Sequence, residues 1–391
     1  MTTGFPEGVD KRKRLLEWMR GGDPDKVPVM VGPGFYLPAS YLDVSPADIT
    51  WEQAARVAVE TGTENMQCIG SPLPFNAIPF TDALEREVRE EIDDNGNQRQ
   101  VCTITTPRGT LHEVWQQDKE HGSVHSEFLV KGPEDLPAFE SFIRTACQTV
   151  LEKPAVREAV LEEMRGHKAA GAGFFPTNIW VFCPAVELTS SYYMDQATAI
   201  YTLHDQPGMM EELFDLHWQT TEIWLELGRE IDVDMFGYAI NGLEWLSPDW
   251  YEQYMIPQAR RINDIVHSMG KLAWLHTCGK KSGLIERDVY RRMDVDLLES
   301  LSAAPTGDIT DYEWARRGIG SGITTRGGVN CEMFYSEDPE LIRRHVDTVL
   351  DGCRGFRHMI GDTNSSVPPY KWETIQVLID AVRDRGVVFP Q

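Results

Sequence analysis

Positive charge is scarce in this 391-residue chain. Its 37 Lys and Arg stand against 61 Asp and Glu, a formal net charge of −24. So acidic a surface repels a phosphate backbone and excludes nucleic acid held by charge as a partner. Long apolar runs are also missing. None reaches the roughly 20 residues that a membrane-spanning helix needs. The basic residues Lys11, Arg12, Lys13 and Arg14 are followed by no apolar segment, so they read as a helix start and not a leader. The seven cysteines are odd in number and irregularly spaced. That excludes a disulfide framework and places the expected location in the reducing cytoplasm. No Gly-x-Gly-x-x-Gly follows any apolar run, which removes support for a dinucleotide site.

What is present is a repeated alternation of apolar runs with amphipathic stretches. Residues 8 to 20 predict a helix whose Leu15, Leu16, Trp18 and Met19 can cover an opening. Apolar runs at 27–31, 65–69, 178–184, 234–240, 271–276, 296–300, 323–329 and 357–360 read as buried strands. Helical segments follow most of them, among them 51–61, 338–350 and 372–385. Ser247 and Pro248 open another, with proline in its first turn. Buried strands alternating with helices mean a parallel sheet in an α/β protein. Eight such units predict a (β/α)8 TIM-type barrel occupying 1–391 as a single domain, with a doubly wound open sheet as the alternative. Residues 84–115 break the pattern. Their alternating polar strands around Asn95-Gly96 predict a β-hairpin insertion.

In such a barrel the chemistry sits at the carboxyl ends of the strands. The residues there include Phe35, Tyr238, Asn241, Glu244, His276, Cys278, Glu299, Cys331 and Asp362. The stretch His276-Thr277-Cys278-Gly279 stands out. Residues two apart in a strand point to one side, so an imidazole and a thiol can aim at one point. A zinc ion takes such donors and, in a catalytic site, three protein ligands with one open position. Cys331 or Asp362 is the candidate third ligand. The alternatives are a buried thiol beside a hydrogen-bonded histidine, or Cys278 as a metal-free nucleophile. Glu244 and Glu299 are candidates for acid/base work. Tyr192 and Tyr193 with Trp180, together with Phe35, Tyr238, Asn241 and Glu299, are candidates for lining a substrate pocket. Cys68, Cys102, Cys147, Cys183 and Cys353 read as small apolar fillers.

From about Gly132 onward the chain resembles the uroporphyrinogen decarboxylase superfamily. The marks are Lys131-Gly132-Pro133-Glu134-Asp135-Leu136, Leu203-His204-Asp205-Gln206-Pro207, Leu246-Ser247-Pro248 with Pro257 behind it, His276-Thr277-Cys278-Gly279, Gly327-Gly328-Val329-Asn330, and Gly361 followed by Pro368. The resemblance implies a (β/α)8 barrel. It also implies one of two chemistries. The decarboxylases clamp an acidic tetrapyrrole with N-terminal arginines, but Val29 to Phe35 contains none. The other branch, similar to cobamide-dependent methyltransferases, carries zinc on a His-x-Cys pair plus a later cysteine. His276 and Cys278 match that pair. The later cysteine's place is held by Gly361-Asp362-Thr363, so Asp362 replaces it, Cys331 supplies the sulfur, or zinc is absent. The implied function is zinc-dependent methyl transfer between a small methylated substrate or thiol and a corrinoid (cobalamin) carried by a partner protein. The alternative is a metal-free carboxy-lyase acting on a small acid, with Asp362 or Glu244 as proton donor and Arg326 as the basic residue at the mouth. A barrel that binds a corrinoid or tetrapyrrole without turnover is the third. A homodimer is the expected assembly.

Overall fold

The computed structural model describes residues 4–22, 26–70, 84–92, 98–118, 122–189, 193–240, 246–335, 338–363 and 371–385. Among them the chain forms eleven strands: β1 (Gln67–Gly70), β2 (Glu85–Ile92), β3 (Gln98–Thr106), β4 (Gly109–Asp118), β5 (Gly122–Glu127), β6 (Thr177–Trp180), β7 (Met235–Ala239), β8 (Leu272–His276), β9 (Leu297–Leu301), β10 (Thr324–Val329) and β11 (His358–Asp362). They belong to two compact units. One comprises 1–71, 164–180 and 231–391, the other 72–163 and 181–230.

The first unit is a parallel α/β body. Its sheet runs β1-β6-β7-β8-β9-β10-β11, and every pairing is parallel. The strands coincide with seven of the apolar runs. The eighth run, 27–31, forms a single parallel bridge, Val29 to Ile360. Met30 N–H donates to the Ile360 carbonyl at 2.8 Å and Ile360 N–H to the Pro28 carbonyl at 3.0 Å. On its other side the Val29 carbonyl accepts from Glu64 N–H at 2.7 Å, just ahead of β1. Helices Ile256–Ser268, Tyr312–Ile319, Pro339–Gly352 and Trp372–Arg385 follow β7, β9, β10 and β11. The short helices Ser282–Glu286 and Val289–Met293 follow β8.

The expected N-terminal helix is Lys11–Met19, with the Asp10 side chain capping it through Lys13 N–H. Leu15, Leu16, Trp18 and Met19 are buried, as predicted. Two of its basic residues, Lys11 and Arg12, are fastened near the amino ends of the strands. Lys11 Nζ donates to the Thr63 carbonyl at 2.7 Å, and Arg12 forks onto Asp234 with Nε to Oδ2 at 2.9 Å. The helix thus covers the end opposite the carboxyl ends. Among the described residues no helix is long and apolar enough to cross a membrane.

The second unit holds the insertion, which is larger than the hairpin expected over 84–115. Four antiparallel strands run in the order β2-β3-β4-β5 and extend to Glu127. The turn expected at Asn95-Gly96 lies outside the described residues. Cys102, Ile104 and Leu111 share one buried face of the sheet, and Gly109 lies close to Ala138 of the helix Leu136–Glu152. The added strands were hard to read because β4 and β5 contain Gln, Glu, His and Ser where an apolar period would announce a strand. The helices Gln196–Asp205 and Pro207–Ile231 also belong to this unit, apart from Ile231.

Candidate functional site

The apolar run Leu272–Leu275 makes β8 a fully buried strand that surfaces at His276. Cys278 lies just beyond it, so its position depends on the turn that follows. Gly279 has φ +80°, a left-handed conformation that other residues adopt only under strain. Lys281 Nζ donates to the Gly279 carbonyl at 2.6 Å and to Ser302 Oγ at 3.2 Å. Asp308 accepts from the backbone N–H of Lys281 at 2.8 Å and of Ser282 at 3.1 Å. Burial alone would raise the Asp308 carboxyl, but the Ser282 hydroxyl and these N–H groups hold it below the usual range. The turn fixed in this way sets His276 Nε2 and Cys278 Sγ 2.8 Å apart.

Behind the imidazole runs a row of charged side chains from neighbouring strands. His276 and Glu299 are register partners across β8 and β9. Leu298 pairs with Thr325, which sets Arg326 beside Glu299. Glu299 Oε2 lies 3.4 Å from His276 Nδ1, and Oε1 accepts from Arg326 Nη1. Arg326 Nη2 donates to Asp362 Oδ1 and, at 3.0 Å, to the Met30 carbonyl, which Nε also reaches at 3.2 Å. Asp362 Oδ1 further accepts from Gly32 N–H at 3.0 Å. Glu299, Arg326 and Asp362 are all buried.

Burial would lift the Glu299 carboxyl, yet the Arg326 charge and the His276 contact hold it below its ordinary value. Burial would lower His276, but the hydrogen bond to Cys278, the 3.4 Å contact with Glu299, and their charges push it up to about 10. The causes agree with the charge count. Two carboxylates face one guanidinium, a surplus of one negative charge. Such a site gains from positive charge at Nε2.

An aromatic wall adjoins the imidazole. Trp180 and Trp274 have ring centroids 4.8 Å apart, and Trp180 meets His276 edge-on at 6.2 Å. Gly237 between them leaves the space they fill, since a Cβ there would sit 3.2 Å from the Trp274 ring and 3.3 Å from Trp180.

Of the residues singled out from sequence, His276, Cys278, Glu299 and Asp362 belong to this constellation. Tyr238 does not. It is fully buried on the other face of the sheet, where its hydroxyl accepts from Asn263 Nδ2 at 2.9 Å. Phe35 packs on Trp51, with centroids 4.5 Å apart, against the apolar cluster around Ala54 and Phe175. Tyr193 packs on Phe139 and His217 in the second unit. Cys331 opens a short 3-10 turn and is half-buried. Among the described residues no three His, Cys, Asp or Glu form a group able to hold a metal ion, so Cys331 completes no such trio with His276 and Cys278 there. Tyr192, Asn241 and Glu244 lie outside the described residues. What sequence reasoning missed is that Arg326 joins the two carboxylates. The available signal was a lone cation inside an otherwise uncharged strand, Thr324–Val329.

Compared with protein-family models, the chain matches uroporphyrinogen decarboxylase (URO-D) over residues 133–385. No curated protein sequence matches it. Among solved structures it is similar to a methyltransferase from Methanosarcina mazei, with 14% identity and a TM-score of 0.63 over 97% of this chain and 100% of that one. That likeness is one of fold. A D-psicose 3-epimerase from Clostridium cellulolyticum H10 aligns over 63% of this chain and 91% of its own at 11% identity, with a TM-score of only 0.32.

Proposed function

Because the chain belongs to the uroporphyrinogen decarboxylase (URO-D) family, we propose that it is a zinc-dependent methyltransferase, moving a methyl group between a small methylated substrate or thiol and a corrinoid held by a partner protein. We read the parallel sheet as a closed (β/α)8 barrel in which 27–31 is the eighth strand, hydrogen-bonded to β11 on one side and to Glu64 on the other. His276 and Cys278 then stand at its carboxyl-end mouth.

The observation that carries the reading is the two-sided use of His276. Nε2 faces the Cys278 sulfur at 2.8 Å while Nδ1 faces Glu299 at 3.4 Å. Imidazole and thiolate are zinc's preferred donors. A carboxylate behind the second ring nitrogen is the usual companion of a metal-binding histidine. The donor chemistry and the surplus of negative charge suit the ion, with His276 and Cys278 as two of the three protein ligands a catalytic zinc takes; among the described residues no third stands with them. Bound there, zinc supplies Lewis acidity toward the heteroatom that carries or receives the methyl group. The rest falls to the protein's own groups. Glu299 sets the ring's orientation, and the turn at Gly279 sets the sulfur. Trp180 and Trp274 offer a methyl group an apolar wall and keep water from one side.

The rival reading, a metal-free lyase acting on a small acid, needs a cation free to hold the substrate carboxylate. Arg326 is occupied at all three nitrogens by Met30, Glu299 and Asp362. This favours the methyltransferase. Elemental analysis of protein purified without chelator is expected to find about one zinc per chain. Corrinoid absorbance is expected to report methyl transfer from one member of a panel of methylated amines, alcohols and thiols. Protein that carries no zinc and takes none up on titration, or that releases carbon dioxide from small acids instead, overturns the proposal.

A further inference from the structure

Glu299 is a short carboxylate in a buried site, with a side chain only 7% exposed. Left alone it has several rotamers and no reason to keep one oxygen on His276. Arg326 removes that freedom. Its guanidinium is 1% exposed and is held from two directions. The Met30 carbonyl takes both Nε and Nη2, and Met30 is itself hydrogen-bonded to β11 through Ile360. Asp362 takes Nη2, and Gly32 N–H pins Asp362 in turn. With Nε and Nη2 so held, Nη1 donates to Glu299 Oε1, and with Oε1 engaged there, Oε2 faces Nδ1. A planar, rigid fork is required for this. A lysine ammonium is a single point charge on a flexible stem and cannot span the same three acceptors.

We infer that Arg326 is a positioning residue: it fixes the Glu299 carboxylate against His276 Nδ1 and so turns Nε2 toward Cys278. The purpose of that orientation rests on the zinc-methyltransferase reading, but the orientation itself belongs to the metal-free chain. A purely structural role, tying β9, β10, β11 and the Met30 segment together, would make stability depend on Arg326 without involving the imidazole.

The test uses the full-length, metal-free protein with 15N-labelled histidine. The His276 Nδ1–H signal is assigned by its loss in His276→Gln. It is expected in the wild type as a downfield resonance slow to exchange, and it is expected to shift and broaden in Arg326→Lys. An unchanged resonance in a folded Arg326→Lys protein that has merely lost stability overturns the inference. If Arg326→Lys does not fold, Asp362→Asn loosens the guanidinium from its other side, and the same resonance is expected to move. Its constancy there is equally decisive against the inference. Co2+ affinity supplies a second readout. Arg326→Lys is expected to weaken it about 10–100-fold. In a Glu299→Gln background it should add no further loss, because the two residues act in series. Full additivity overturns the inference. Wild-type protein that binds neither zinc nor cobalt yet shows the expected Nδ1–H shift sinks the methyltransferase reading and leaves the positioning role standing.

Discussion

His276 and Cys278 are separated by one residue, and their side chains meet at 2.8 Å between Nε2 and Sγ. Strand alternation alone does not produce this contact, because β8 ends at His276. It takes the turn at Gly279, with the Lys281 ammonium on its carbonyl, to bring the sulfur back over the ring. The pair is therefore a property of a strand end and a stiff turn together, and the charged side chains behind it lie on three further strands.

Cys278→Ser keeps the side chain's size and removes the soft donor. The outer partner of a metal ligand is already worth 10–100-fold in affinity, so losing a ligand is expected to cost at least roughly 100-fold for zinc. Methyl transfer should fall to background. Chelator competition measures the first effect and corrinoid absorbance the second. Because Cys278 is half-buried at a turn, thermal stability should change little. A large drop in melting temperature would mean that the sulfur serves packing.

Asp362→Ala leaves Arg326 buried with one carboxylate in place of two and deprives Gly32 N–H of its acceptor. Removing one partner of a buried ion pair costs about 3–5 kcal/mol. Glu299 remains to share the charge, so the lower end of that range is expected in denaturant titration. Asp362→Asn, which keeps an acceptor, should cost less.

Acid should weaken the fold through two buried histidines. His217 is lowered to about 4 by burial, among Phe182 and Tyr193, with no hydrogen-bond partner on either ring nitrogen. His358 is lowered to about 3, by burial first and then by the Arg316 charge, and only its Nδ1 has a partner, Thr325 Oγ1 at 2.8 Å. Unfolded histidine titrates near 6.5. With the folded values depressed, the unfolded chain binds more protons below that point. The contribution of these two rings is thus complete above about pH 6.5 and is lost as pH falls toward 3. Each tenfold preference for the neutral ring is worth about 1.4 kcal/mol, so the two together cost several. Denaturant titrations at a series of pH values check this. His358→Gln should flatten part of the slope between about pH 6 and 4.

Gly361→Ala tests the contact between β11 and the Met30 segment. A Cβ at Gly361 would run into the Met30 carbonyl and stand 3.3 Å from Arg326 Nε. The clash is with backbone, which cannot rotate away. Overpacking of this kind costs about 1–3 kcal/mol, and displacement of Met30 should also disturb Arg326 and hence zinc affinity. Gly166→Ala is the control. It lies in the helix Pro154–Ala170 with no atom within 4 Å, and is expected to stabilise by roughly 0.5–1 kcal/mol. Denaturation midpoints distinguish the two.

The strand positions and the His276–Cys278 pair were legible because apolar runs and a His-x-Cys spacing are local signals. The face on which Tyr238 lies was not. A parallel strand buried on both sides, such as Met235–Ala239, carries no polar alternation from which to read direction. Only the register, which pairs Gly237 with Trp274 and Ala239 with His276, assigns Tyr238 to the other side. Arg326 was visible as a cation near the mouth, but its saturation by Met30, Glu299 and Asp362 depends on contacts between strands far apart in sequence. The four-stranded insertion was underestimated because its later strands carry polar residues on both faces.

The hydrogen bond from Gly32 N–H to Asp362 joins residues 330 apart. A ribosome must therefore deliver the chain through Asp362 before the charged row behind His276 can close. Until β11 emerges, Arg326 lacks Asp362, and the Met30 carbonyl lacks the pairing that holds it in place. The nascent protein can acquire its amino-terminal helix and most of its sheet while still lacking a finished site. Assembly of the centre thus waits for β11, and a product truncated before Asp362 would lack the second carboxylate on Arg326.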